Sequence, residues 1–411
     1  MAPLTLQHAR DLDAADPLVS LRNQFELPDG VIFMDANSIG PMPKAVRARA
    51  QGLLDDWVHL RRRGWSNRQW LDMPSLLGDA IAPMIGAGKG EVVMIDSTTL
   101  NQFKAVSHAL ALNPKRTQIL TQNGNFPTDI HVLQGLVKAS NGRLSLAFID
   151  SEDEAIAAMS ERIAVAALSH VDYRSGERWD MQRVTKAAHA KGVLTVWDLS
   201  HSAGAVPVDV KAADADFAIG CGYKYLCSGP GGPAYIYAKP GLADGVWPAI
   251  SGWMGHADVL GFARDYVPHP GVKQFIAGTP PVGANELAAP LLDIWPKIDP
   301  QALWAKHKSL TDLLITLLRQ ECGAFGVEVA SPADHAQRGG NVSFRSPGAG
   351  SVVEALIDEG VVSSFRKPDA IRFGVSPLVI RHTDIFEAVQ RLKRVLEEKI
   401  WQQPKYAKVS V

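Results

Sequence analysis

Between residues 92 and 238 short apolar runs alternate with amphipathic stretches, and this alternation restricts the fold more than any other feature of the chain. VVMI (92–95), QILT (118–121), LSLAFI (144–149), AVAALS (164–169), VLTVWD (193–198), FAIG (217–220) and PAYIYA (233–238) read as strands. NQFKAVSHALAL, PTDIHVLQGLVKA, SEDEAIAAMSERI and DMQRVTKAAHAKG read as helices between them, with a further short helix after Asp198. Strands and helices in such alternation bury their apolar sides by forming a mostly parallel sheet covered by helices. Runs that are apolar without alternation fit strands covered on both faces. The predicted class is α/β.

Beyond about residue 283 the texture changes. Helical patterns over 284–297 and 301–321 precede the strands GVEVA (326–330) and NVSFRS (341–346), a helix from Ser351, the strand AIRFGV (370–375) and a last helix over 383–398. This is the pattern of a smaller α+β unit, and the turn-rich start with DANSIGPMP is expected to pack on it. The expected division is a large domain over 46–283 and a small domain made of 1–45 and 284–411, within the reach of a 411-residue chain.

Several function classes fall away on composition. The 42 basic and 43 acidic side chains nearly cancel, so there is no electrostatic footprint for nucleic acid or an anionic membrane. The run Arg61–Arg63 reads as the wet side of a helix. Three cysteines, Cys221, Cys227 and Cys322, without close Cys/His spacing, build neither a disulfide framework nor a structural zinc site. No stretch approaches the ~20 apolar residues that span a bilayer. The start MAPLTLQHARDLDAADPL has no charged segment followed by an apolar one, so a cytoplasmic location is expected. GAGKGE at Gly86 places Gly90 where a nucleotide-binding loop needs Ser or Thr. There is no G-x-S-x-G elbow and no H-E-x-x-H helix.

In open α/β sheets, ligands bind beyond the carboxyl ends of the strands. The segments there, 97–99, 123–129, 169–173, 198–201 and 222–224, supply a carboxylate, hydroxyls, an aromatic ring and a lysine. That set suits pyridoxal 5'-phosphate, which needs an amine for a Schiff base, an acid for its pyridine nitrogen, a ring to stack on and donors for its phosphate. Lys224 lies in GCGYKYLCSGPGG (220–232), where glycines let a ligand approach the backbone. A random lysine is more often a solvated turn residue, but an amine taken out of water serves as nucleophile and base. Asp198 closes an apolar strand, where a charge needs a partner. A pyridinium is one such partner and a helix cap is the ordinary alternative. Thr98 and Thr99 sit at a strand-to-helix junction, a place for phosphate or for a plain N-cap. Phe126 could lie on the cofactor ring, although an isolated Phe is more often core, and Asp129 could hold a cofactor oxygen or a neighbour.

DANSIGP, VWDLSHSAG, YKYLCSGPGGPAY, SGWMGH and AIRFGVSPL, in this order and spacing along the chain, resemble the kynureninase family from about residue 17 to 397. These are pyridoxal-phosphate hydrolases of fold type I, in the class V group of the aspartate aminotransferase superfamily, and the bacterial members are the more similar. The resemblance implies hydrolysis of L-kynurenine to anthranilate and L-alanine, with the 3-hydroxy relative as a further substrate. It implies that Lys224 forms the Schiff base, that Asp198 pairs with the pyridine nitrogen beside His201, and that Phe126 stacks with Asp129 close by. It further implies that Thr98, Thr99 and Tyr223 serve the phosphate side, with Tyr223 as a proton relay, and that Ser169 lies near the cofactor. Trp253 and Thr279 would come from the second subunit of a homodimer, and Arg372 would hold the substrate carboxylate as a two-pronged partner. Trp65 matches the bacterial pattern, where animal relatives have histidine. Cys227-Ser228 stands where Asn-Gly is expected, and Pro280 follows Thr279 where bacterial members read TQP.

Rival readings are a cysteine desulfurase or an aminotransferase of the same group, and a cofactor-binding regulator. A desulfurase needs a mobile nucleophilic cysteine, whereas Cys221 and Cys227 flank the lysine closely and Cys322 follows a helix. A regulator needs a DNA-binding domain, for which neither length nor charge leaves room.

Overall fold

The computed structural model describes residues 4–407. Its centre is a seven-stranded sheet: β1 (Val92–Met94), β2 (Gln118–Gln122), β3 (Ser145–Ile149), β4 (Ile163–Ser169), β5 (Leu194–Asp198), β6 (Phe217–Gly220) and β7 (Tyr235–Ala238). The order across the sheet is β1-β7-β6-β5-β4-β2-β3. Six strands run parallel, and β7 is antiparallel to both β6 and β1. The connection from β6 to β7 has no helix to carry the chain back across the sheet, so the strand it feeds returns in the opposite direction.

Alternate residues feed two apolar layers. Val92 and Met94 of β1 pack with Leu77, Ile81 and Trp197. Val93 and Ile95 pack with Ala105 and Ala109 of the helix Thr98–Leu112 on the other face. Each fully buried Val, Leu or Ile contributes about 1.5–3 kcal/mol. This explains why β4, covered on both sides, is buried throughout as IAVAALS. Polar caps start the covering helices: Ser97 Oγ accepts from Leu100 N at 3.3 Å, and Asp180 Oδ1 accepts from Arg183 N at 3.0 Å.

A second, antiparallel sheet contains β8 (Glu328–Val329), β9 (Asn341–Arg345), β10 (Ser364–Arg366) and β11 (Ala370–Gly374), in the order β8-β9-β11-β10. The helices Pro300–Leu317, Ala349–Asp358 and His382–Glu397 pack beside it. The start of the chain joins this region. Ile32–Phe33 pairs in parallel with Val361–Val362, and the Asp13 carboxylate caps the last helix through His382 N (2.6 Å) and Thr383 N (3.1 Å).

Several elements depart from the sequence reading. The acidic helix covers only Glu152–Ala158. After Asp198 the chain makes successive turns and no helix, because the Asp198 side chain takes Ser200 N at 2.8 Å and Gly204 adopts φ 81°. The pattern over 284–297 is broken into Val282–Ala288, Leu291–Ile294 and a last tight turn, since Pro290 and Pro296 cannot donate the helical hydrogen bond. GVEVA yields only the two-residue β8. β3 is an edge strand, so its Phe148 is 42% exposed rather than covered. Arg61–Arg63 form a short exposed turn.

Candidate active site

The parallel strands bring their carboxyl ends to one edge. In β5, Asp198 is in register with Ser169 of β4 and Ile219 of β6, so acid, hydroxyl and the lysine-bearing loop line up. The loop 221–234 must turn back into antiparallel β7, and it does so with Cys227 N on Lys224 O (3.0 Å) and Ser228 N on Gly222 O (2.9 Å). Cys227 adopts φ 65°, the left-handed region. A side chain there costs about 1–2 kcal/mol unless it is Gly or, more cheaply, Asn. That is the physical reason for the Asn expected at this position. Gly40 of DANSIGP lies against the same loop: a Cβ on Gly40 would come within 2.2 Å of Lys224 O, and Gly40 N donates to Tyr223 O at 2.7 Å.

Lys224 is half-buried, less enclosed than its glycine-rich surroundings suggest. Its Nζ lies 2.8 Å from His201 Nε2. Burial, then Lys224, Arg372 and Arg366, hold the His201 pKa well below the usual imidazole range. A neutral ring can accept from Lys224 at Nε2 with its own proton on Nδ1, which is buried with no partner among the described residues.

Asp129, in the first turn of the helix Pro127–Ala139, is 3% exposed and its Oδ2 lacks a partner. Its carboxyl meets that of Asp198, and burial and then Asp198 push its pKa well above the carboxylate range, while Lys224 opposes. The neighbour that Asp129 meets is Asp198. Two acids facing each other favour a proton or a cationic group between them.

Tyr223 is half-buried, and Cys221 lies close enough to its hydroxyl to act on it. Burial, then Cys221 and Asp198, push the phenol pKa up, so it stays protonated. No sequence signal pointed to Cys221 as its neighbour. The N-cap of the helix Thr98–Leu112 is Ser97, which leaves half-buried Thr98 and exposed Thr99 outside the cap. The Ser169 hydroxyl donates to Asn125 Oδ1 at 2.6 Å. Phe126 is 44% exposed and meets Tyr173 edge-on at 5.2 Å.

Arg372 of β11 is buried, donating from Nη1 to Tyr173 O at 2.6 Å and from Nε to Ser364 Oγ at 3.2 Å. Burial, then Arg366, pull its pKa down to about 10, against Asp35. Tyr173 and the segment Asp35–Gly40 connect it to Phe126 and to the Lys224 loop. The remaining site candidates stand apart within one chain. Trp65 meets Trp70 edge-on at 5.5 Å, Trp253 stacks on Phe262 at 6.4 Å, and Thr279 is exposed.

These residues fit pyridoxal 5'-phosphate. The acid pair with its unpartnered Asp129 oxygen suits a protonated pyridine nitrogen. The Lys224 amine suits the aldehyde, and the start of the 15-residue helix at Thr98 suits the phosphate.

Residues 303–392 match the family model of the kynureninase C-terminal domain. The chain is 41% identical over 400 residues to the kynureninase of Pseudomonas fluorescens, covering 96% of both chains. It is 42% identical over 401 residues to that of Deinococcus radiodurans, covering 96% of this chain and 97% of the relative. A third kynureninase, from Burkholderia pseudomallei, is 38% identical over 408 residues, 98% of either chain. Among solved structures, an apo cysteine desulfurase from Thermococcus onnurineus superposes with TM-score 0.75 at 20% identity, over 97% of this chain and 100% of its own. A C-DES variant with glycine covalently linked to its pyridoxal phosphate cofactor gives TM-score 0.75 at 18% identity, over 90% of this chain and 98% of its own. The structures establish the fold, and identity to the sequence relatives along almost the whole length establishes that this chain belongs to the kynureninase family.

Proposed function

We propose that this protein hydrolyses the Cβ–Cγ bond of L-kynurenine, releasing anthranilate and L-alanine, with Lys224, Asp198 and Tyr223 as its catalytic residues. The observation that carries the reading is the Lys224 amine facing the Asp129–Asp198 pair across one sheet edge, in a chain of this family. Bound pyridoxal 5'-phosphate supplies an electron sink that makes the α-proton acidic and the Cβ–Cγ bond breakable. The chain's own groups do the rest. Asp198, anchored by Ser200 N, holds the positive ring nitrogen together with Asp129. Lys224 Nζ takes the α-proton, and its hydrogen bond with neutral His201 keeps the amine oriented. Tyr223, with its phenol held neutral, has a proton to deliver to the departing fragments. Thr98, Thr99 and Tyr223 would hold the phosphate, Phe126, Ser169 and His201 the rest of the cofactor, and Arg372 with Trp65 the substrate.

A homodimer completes the site in this reading, with Trp253 and Thr279 supplied by the second chain; both are exposed here. The proposal keeps the division into 46–283 and 1–45 with 284–411, which the presence of two separate sheets supports, while Trp295 Nε1 donates to Leu226 O of the Lys224 loop at 3.0 Å. Among the described residues no helix is long and apolar enough to cross a membrane. A cytoplasmic location and independence from nucleic acid are part of the proposal.

A desulfurase would use a mobile thiolate. Cys221, Cys227 and Cys322 are all buried, and burial pushes Cys322 up to about 12. Incubating the purified protein with kynurenine and with cysteine tests the reading. Anthranilate fluorescence from the first and no sulfide from the second is the expected result; the reverse overturns it.

A further inference from the structure

We propose that Arg366 is a second carboxylate-binding residue, whose guanidinium holds the substrate α-carboxylate together with that of Arg372. The inference rests on the amino-acid substrate proposed above and adds a residue to its binding site.

The argument begins with register. β10 and β11 are antiparallel, with Ser364 opposite Arg372 and Arg366 opposite Ala370. Side chains alternate along a strand and directly opposed residues share a face, so Ser364, Arg366 and Arg372 stand on one face of this sheet.

Next comes the donor count on Arg372. A guanidinium has five N–H donors. Here Nε donates to Ser364 Oγ (3.2 Å), Nη1 to Tyr173 O (2.6 Å), and Nη2 to both Ser364 Oγ (3.1 Å) and Ser38 Oγ (3.3 Å). Asn37, with its amide oxygen turned inward, accepts from Nε and Nη2 as well. A single Nη1 hydrogen is left, and the side chain is 1% exposed. Gripping both carboxylate oxygens takes two parallel donors. Arg372 as held here leaves one, so a donor from a neighbour completes the grip without breaking these bonds.

Arg366 is that neighbour. It is half-exposed, and its hydrogen bond goes to Phe365 O at 2.7 Å. Among the described residues no carboxylate lies within ion-pair distance of it. It shares the sheet face of Arg372, and its charge acts on Arg372, Asp35 and His201. The acid in this group, Asp35, is half-buried and accepts from the Ser38 hydroxyl at 2.8 Å. Two guanidinium groups sharing one such acid leave uncompensated positive charge in a partly desolvated place, and a small anion between them relieves it.

The test uses the cofactor-loaded enzyme and two probes that differ in the carboxylate, L-alanine and L-alaninamide, titrated by calorimetry into the parent, Arg366→Gln and Arg366→Lys. Arg366→Gln is expected to weaken L-alanine roughly ten-fold, the loss of one charge-assisted hydrogen bond, while L-alaninamide affinity holds within about two-fold. KM for kynurenine should rise by a similar factor with kcat little changed, and Arg366→Lys should recover part of the loss. Equal losses for both probes would mean that Arg366 only supports the fold, and unchanged L-alanine affinity would mean that it does not meet the carboxylate; either result overturns the proposal. If the parent makes no anthranilate, the hydrolase reading fails, and the probe comparison still decides the role of Arg366.

Discussion

Around Lys224 the polar groups are turned toward one another inside a single chain: Asp129 is 3% exposed, His201 6% and Arg372 1%. Around Trp253 the opposite holds. Phe262 is 77% exposed, Leu260 67% and Trp247 59%, and among the described residues the Trp253 ring stacks on Phe262 alone. Soluble monomers rarely leave such a group of large apolar side chains in water. The difference teaches that one chain gathers the Lys224 cluster by itself, whereas the Trp253 loop leaves apolar surface that the proposed homodimer would cover. Chemistry at the first region depends on buried electrostatics, and contribution from the second depends on association.

The sharpest way to break this comparison is Lys224→Ala. Removing the amine should reduce turnover by at least about a thousand-fold, the scale of losing a nucleophile that is also the base. The yellow, borohydride-reducible chromophore should disappear with it, and a variant that keeps that chromophore rules out Lys224 as the attachment point. The second probe is Trp253→Ala. If the exposed ring is an interface anchor, the dimer should weaken by about 2 kcal/mol, roughly thirty-fold in dissociation constant. Sedimentation across a dilution series would reveal this, with activity lost in step with dissociation. Unchanged self-association would detach the loop from the interface.

The smallest effect concerns Asp129 in the protein stripped of cofactor. Its folded pKa is raised, so the folded state binds a proton more tightly than the unfolded state. Its stabilising contribution is full below the ordinary carboxylate pKa and declines as pH rises from there to the raised value. Asp129→Asn should flatten that part of the melting-temperature profile against pH. A profile unaltered by the substitution would mean that the acid pair is not strained.

Much of the site was legible because parallel strands impose an order. Once AVAALS, VLTVWD and FAIG are neighbouring strands, Ser169, Asp198 and the Lys224 loop must reach one edge. Asp129 was legible as a site residue, although its partner Asp198 was not, since they lie on different elements that only packing brings together. Cys221 as the neighbour of the Tyr223 hydroxyl could not be read, because residues two apart in an irregular loop have no fixed relation. Helices were misjudged where a local competitor acted: the Asp198 side chain on Ser200 N, and prolines at 290 and 296.

Residue order alone determined the strand-helix alternation and the strand ends where chemistry could gather; the left-handed turn at Cys227 emerged only in the folded loop. The alternation and the strand ends are consequences of local pattern and backbone sterics, which travel with the chain. Tertiary structure decided the reversed direction of β7, the meeting of Asp129 with Asp198, the pinning of Arg372 by Tyr173, Ser38 and Ser364, and the placing of Arg366 on the same face. Those depend on which distant segments share a low-dielectric space, and charges and donors acquire their partners only when that space closes.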